Sequence, residues 1–331
     1  MSTIYGPVPS WRFGRSLGID VITPPKKCTF NCLYCQLGRT KIHVSEPEMI
    51  REPLVSADKV STDLEDVLKR ISLNTVDIVT FSGTGEPTLN LRLGEIADEV
   101  KVRIGKLPMA ILTNSSLFYR NDVRRNLSGF GMVVAKLDAG DDETFRLINR
   151  PADKKLDIGT IVESIKKLKG EIKGLLALEV MLLQTENGKT TNVKDKPLRN
   201  LMDAVLEINP DIVQLEVPYR PPSESFVKPP PQSRIEAVSK ELSKLLGKEK
   251  LWVYGQHDRR GNRVMWLRHK SLEEEVLALL ERRPCRLVDI TVSLGIDSFT
   301  TQSLLKTLEK NRQISTRVIR EEKFYFRKTD T

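Results

Sequence analysis

Along the chain, short apolar runs of strand length alternate with stretches whose apolar residues recur every three or four positions. Runs at 16–22, 76–81, 109–115, 132–140, 175–183 and 212–217 read as buried strands, because each is apolar almost throughout and ends in polar or turn-forming residues. Helical spacing follows at 63–71, 91–104, 121–127, 144–148, 158–168, 198–208 and 233–246. Six strands, each followed by a helix, predict a parallel α/β sheet, and six falls short of the eight that close a barrel. A short strand is expected at 251–254, and a proline-rich stretch at 221–231 cannot be helix or central strand. From Ser271 the pattern changes to helices at 272–280 and 287–294 and a third that Asp297 or Ser298 would cap, then two strand-like runs around Glu321-Glu322.

The 331 residues suit two domains, and 39% hydrophobic residues suffice for two cores. The boundaries expected are 1–256 for the α/β part, 257–270 for a polar, basic linker and 271–331 for the helical part. The first residues lack a charged-then-apolar leader, and no apolar run approaches the ~18 residues of a membrane span. A cytoplasmic protein is therefore expected, with no membrane partner. The formal charge is +9, and +8 of it lies in the first 270 residues, which makes polyanions candidate partners without identifying one.

Three of the four cysteines, Cys28, Cys32 and Cys35, stand within eight residues. Thiolates are soft ligands, and such spacing lets one loop wrap a metal centre. Three protein ligands leave a coordination position for something that is not a side chain; a zinc site completed by a distant residue such as His43 is the other reading. Cys285 reads as a small buried hydrophobe. A second informative stretch is Ser82-Gly83-Thr84-Gly85-Glu86-Pro87-Thr88 at the end of the second strand. Its glycines would let backbone approach a ligand, and Glu86 would accept from a cationic amine.

The CxxxCxxC run with Tyr34 before its last cysteine resembles the radical S-adenosylmethionine (SAM) superfamily. The resemblance implies an open partial (βα)6 TIM-type barrel and two cofactors. Cys28, Cys32 and Cys35 would hold a [4Fe–4S] cluster whose fourth iron is chelated by the amino and carboxylate groups of SAM. The reduced cluster would cleave SAM to a 5′-deoxyadenosyl radical that abstracts hydrogen from a substrate, with an electron donor resembling flavodoxin or ferredoxin as partner. Gly83, Gly85 and Glu86 resemble the superfamily's Gly-Gly-Glu element, with Thr84 inserted. Strand-end polar residues are further candidates: Asn114 and Ser115, Lys136 and Asp138, Gln184, and Gln214 with Glu216. Lys136 and Asp138 stand in an otherwise apolar strand, which is costly unless they are paired or ligand-bound. By resemblance these two and Asn114 join Tyr34, Gly83, Gly85 and Glu86 on the SAM side.

Three helices followed by a hairpin resemble a small winged helix-turn-helix domain, a class that docks on nucleic acid or on protein. This part carries a net charge of only +1, whereas nucleic-acid readers are usually distinctly basic. The segment 5–16, with Asn149-Arg150-Pro151 and Arg220-Pro221-Pro222, resembles a branch of the superfamily grouped near the wyosine-base-forming tRNA enzymes. Arg12 and Arg15 would either grip phosphate or fasten the first strand, with fastening favoured. A tRNA is accordingly the leading substrate, a protein or peptide the alternative, and a metal-responsive DNA-binding regulator the alternative of another class. Oligomeric state is not legible.

Overall fold

A computed structural model describes residues 2–257 and 271–328, so most of the expected linker at 257–270 lies outside the described residues. Seven strands of one sheet run parallel in chain order. They are β2 (Gly14–Ile19), β3 (Ile78–Phe81), β4 (Met109–Thr113), β5 (Met132–Lys136), β6 (Leu175–Met181), β7 (Ile212–Glu216) and β8 (Leu251–Val253). An antiparallel edge strand, β1 (Ile4–Ser10), precedes them, and β1 does not pair with β8. The sheet is therefore a curled half-barrel and stays open. Six of these strands coincide with the runs read from the sequence: β2, β4, β5 and β6 end two to four residues earlier than their runs, β7 one residue earlier, and β3 at the same residue.

Helices α1 (Ala57–Leu68), α2 (Leu93–Ile104), α3 (Asn121–Asn126), α4 (Asp142–Asn149), α5 (Ile158–Glu171), α6 (Asp195–Ile208) and α7 (Gln232–Leu246) connect the strands. They bury stripes such as Leu93, Ile96, Ala97 and Val100 against the sheet in one continuous core. Because helices cover the outer face, the central strands are apolar on both faces, which is why they read as unbroken runs. Among the described residues no helix is long and apolar enough to cross a membrane.

Strand β1 was hidden in the sequence by Gly6, Pro7 and Pro9, which are tolerated because this strand lies at the edge. Its outer side is covered by the C-terminal part, formed by α8 (Leu272–Arg282), α9 (Leu287–Leu294) and α10 (Ser298–Lys310) with a three-stranded sheet. That sheet orders β9 (Cys285–Arg286), β11 (Glu322–Arg327) and β10 (Ile314–Ile319), all antiparallel. Two details differ from the sequence reading. The strand β9 is added, and the hairpin turns at Arg320-Glu321, both at positive φ, one residue earlier than expected.

Val8 of β1 belongs to the same core as Val276, Leu279, Cys285, Ile290 and Leu305, so the two parts share buried apolar surface. Arg282 strengthens the joint: it donates to the Ser2 carbonyl and lies 3.6 Å from the carboxylate of Asp20, both side chains almost fully buried. Cys285, wholly buried in this core, is the small hydrophobe its isolation suggested.

Candidate active site at the strand ends

The cysteine loop leaves β2 and crosses the C-terminal end of the barrel. Backbone fixes it there. Asn31 N donates to the Asn149 carbonyl at 3.0 Å and Leu33 N to the Ile148 carbonyl at 2.9 Å, both at the end of α4. The proline-rich stretch holds the other side. Ser223 Oγ reaches the Cys32 and Leu33 carbonyls at 2.8 Å, Glu224 N donates to the Leu33 carbonyl at 3.0 Å, and the Glu224 carboxylate pairs with Arg150 and Arg39. Asn149-Arg150-Pro151 and the stretch after Arg220, which the sequence marked without a role, thus brace the loop.

The glycine turn lies directly under it. Lys27, next to Cys28, pairs with Gly85, and Glu86 N donates to the Lys27 carbonyl at 3.0 Å. A Cβ on Gly85 would stand 1.9 Å from that carbonyl oxygen, and one on Gly83 would stand 2.2 Å from Cγ of Asp20. The glycines were read as making room for a ligand; in the fold they first make room for the protein's own chain. Gly85→Ala is expected to cost more than about 2 kcal/mol and to weaken metal retention, because backbone must move and carry Cys28 with it. Thermal unfolding and bound iron check this.

Cys28, Cys32, Tyr34, Cys35, Gly85, Glu86, Asn114 and Lys136 line one cavity of about 240 Å³, joined by Arg12, Glu179, Glu216, Tyr219 and Arg220. Gly83 and Asp138 do not line it. Asp138 sits a layer behind and accepts from Tyr34 Oη, from Asn149 Nδ2 at 2.8 Å and from Met181 N at 2.9 Å. Asn114 ties strand to loop: its side chain donates to Thr29 Oγ1 at 2.7 Å and its backbone N to Glu86 at 2.7 Å. Of the other strand-end residues, Ser115, Gln184 and Gln214 lie off the cavity wall.

Each of the three sulfurs in the loop meets an N–H donor: Lys26 Nζ lies 3.0 Å from Cys35, Phe30 N and Asn114 Nδ2 each 3.5 Å from Cys28, and Asn149 Nδ2 3.6 Å from Cys32. Such donors suit thiolates that carry charge. Burial pushes the Cys28 thiol up to about 12 and the Cys32 thiol up to about 11, so metal binding must displace their protons. Among the described residues no three Cys, His, Asp or Glu side chains converge tightly enough for a single ion. His43 instead meets the Thr29 carbonyl. A single zinc with Zn–S of about 2.3 Å needs such convergence, whereas a cluster takes one thiolate per iron.

Glu86, only 2% exposed, is hydrogen-bonded by Thr88, Thr113 and Asn114, and burial still raises its carboxyl above the usual range. A cation in the cavity would relieve it. Across the barrel Lys136, Glu179 and Gln214 occupy the same level on β5, β6 and β7. Glu179 pairs with both Lys136 and Arg12, and Glu216 accepts from Trp11 Nε1 at 3.0 Å. Burial alone would raise the Glu179 carboxyl, but Arg12 and Lys136 outweigh it and hold Glu179 well below the carboxylate range.

Arg12 therefore points into the barrel, against the expectation that it fastens the first strand; Arg15 does that, with Asp77 at 2.6 Å. Sequence reading missed Arg12, Glu179 and Tyr219 on the cavity wall and Lys26, which lies off that wall and donates to Cys35. Glu179 carried a usable signal, a lone carboxylate inside an apolar strand.

Residues 22–192 match the family model of the radical SAM superfamily. The chain belongs to the radical SAM superfamily. This radical SAM enzyme is 34% identical to UPF0026 protein MJ1312 of Methanocaldococcus jannaschii over 86% of its own length and 84% of that protein. It is 30% identical to a UPF0026 protein of Helicobacter pylori over 97% of its length and 96% of that chain. Its fold is similar to the crystal structure of Streptococcus suis SuiB bound to S-adenosylmethionine, with a TM-score of 0.50 and 15% identity, covering 73% of this chain and 50% of that one. As in the rest of the superfamily, the cofactors are a [4Fe–4S] cluster and SAM, and the sulfur environment and donor set described above fit the cluster.

Proposed function

We propose that this radical SAM enzyme modifies RNA, a tRNA foremost, with Cys28, Cys32 and Cys35 as cluster ligands. The observation that carries the reading is one cavity bounded by three N–H-supported thiols and the buried carboxylate of Glu86. When bound, the cluster and SAM supply a carbon radical that takes hydrogen from the substrate. Glu86 holds the cationic amine of SAM, with Gly85 giving the backbone its approach and Gly83 seating Asp20 behind the turn. Asn114 and Lys136 orient the ligand from the strand ends. Asp138 acts through Tyr34, whose hydroxyl it receives, and so keeps the cysteine loop in place.

The RNA reading draws on the +8 charge of the first 270 residues, on Arg220 at the cavity wall and on the C-terminal part, which we read as a winged helix-turn-helix domain beyond a linker at 257–270. The enzyme works in the cytoplasm with a small electron-transfer protein as donor. Anaerobic reconstitution, reduction and addition of SAM should release 5′-deoxyadenosine, and bulk tRNA should stimulate the release and bind in a salt-sensitive way. No 5′-deoxyadenosine from protein with a confirmed cluster would overturn the enzyme reading. Release without any tRNA effect would turn the substrate toward a protein or peptide.

A further inference from the structure

Beside the cofactor cavity lies a second, of about 140 Å³, between the barrel mouth, β1 and the C-terminal part. The two share Arg12, Gln36, Leu112, Tyr219 and Arg220. Its far wall adds Arg282 and Arg283 from the end of α8. Four guanidinium groups thus surround a space worth about five waters at roughly 30 Å³ each. Two are already answered: Arg12 by Glu179 and Glu216, and Arg282 by Asp20 and two carbonyls.

The other two are not. Arg283 is 8% exposed, yet its Nε and Nη2 are buried without a hydrogen-bond partner. Arg220 donates from Nη1 to Gln36 Oε1 at 2.7 Å, while its buried Nε has no partner. Among the described residues no carboxylate lies in ion-pair range of either guanidinium. Both act on Asp289 electrostatically, but that carboxylate is engaged by Arg286 through its backbone N at 3.0 Å and its side chain at 3.1 Å. Arg220 is also held in place. It lies over the Tyr219 ring at 4.8 Å, and Tyr219 stacks on Tyr254 at 4.4 Å.

A buried guanidinium without an acid is costly, and its planar fork suits an oxyanion. We propose that Arg220 of the barrel and Arg283 of the C-terminal part form a phosphate-binding subsite that seats a phosphate of the substrate beside the cofactor cavity. It rests on the reading of the adjoining cavity as the radical SAM site. The C-terminal part then completes the substrate side of the active site rather than serving only as a separate module. The space admits a phosphate group and is too small for a whole nucleoside, so the reacting portion lies in the cofactor cavity and this subsite sets its register.

The test titrates the reconstituted full-length enzyme with inorganic phosphate against chloride at matched ionic strength, following heat of binding and thermal midpoint. Phosphate is expected to bind and to raise the midpoint, and Arg283→Gln and Arg220→Gln should each weaken it by about tenfold or more. Arg283→Lys should restore part of the loss. No phosphate effect beyond chloride in the wild type, or equal binding in both glutamine variants, overturns the proposal. If Arg283→Gln does not fold, the partly exposed Arg220 decides alone.

Fluorescently labelled tRNA identifies the source of the phosphate. A salt slope lower by about one in Arg220→Gln assigns it to RNA, and an unchanged slope with phosphate binding lost assigns it to a small phosphorylated molecule; either supports the subsite. Phosphate binding needs no turnover. A wild type that binds phosphate but releases no 5′-deoxyadenosine overturns the function proposed above and leaves the subsite, and the converse holds equally.

Discussion

Cys32→Ala is expected to abolish 5′-deoxyadenosine release, by at least about 100-fold, together with the iron content and visible absorption of the reconstituted protein. Alanine removes only the sulfur. The loop stays where backbone places it, through Asn31 and Leu33 on the end of α4 and through Ser223 on the carbonyls of Cys32 and Leu33. Loss of activity should therefore come with little loss of thermal stability. Cys285→Ala is the contrast, since Cys285 lies in the second core with no cavity contact, and it should keep both iron and activity. Near-wild-type cleavage by Cys32→Ala would remove the assignment of the cluster ligands.

Lys136→Met should destabilise the fold by about 3–5 kcal/mol at neutral pH, since removing one partner of a buried ion pair strands the other. The arithmetic of the site makes this lysine critical. Among the described residues Asp138, Glu179 and Glu216 pair with Arg12 and Lys136 alone, and in the variant three buried acids would face one cation. Burial alone would strip the proton from Lys136, but Asp138 and Glu179 hold it above the ordinary lysine range, so it is cationic at any working pH.

The pH dependence has a definite sign. Glu179 is depressed in the wild type, so its contribution is present above the unfolded carboxylate pKa of about 4.3 and is lost as pH falls toward the folded value. Removing Lys136 lets that carboxyl rise, and Glu216, already raised by burial, rises with it. The variant therefore takes up protons sooner, and its deficit should narrow from pH 7 toward pH 4. Denaturant unfolding of both proteins across that range is the measurement. A deficit independent of pH would mean that lost packing, not stranded charge, is the cause.

Much of the site was legible because its parts are close in sequence. Cys28, Cys32 and Cys35 lie in one loop, and Gly85-Glu86 follows a strand one βα unit later. Lys136 and Asp138 announced themselves as charges in an apolar run, and the structure separates them: Lys136 reaches the cavity, and Asp138 turns inward onto Tyr34. The glycines were found for an incomplete reason, because the backbone that crowds Gly85 arrives from Lys27.

Local spacing by itself determined the close grouping of the three loop cysteines and the parallel α/β alternation. Ligands a few residues apart must share a loop, and strands buried on both faces must be apolar throughout. Tertiary structure alone decided which distant charges meet. Arg12 reaches Glu179 because an edge strand with two prolines turns back on β2, and Arg220 faces Arg283 because α8 and α9 cover that edge. Those meetings depend on strand order and on the packing of one part against another, and contacts between residues so far apart leave no periodic mark in the chain.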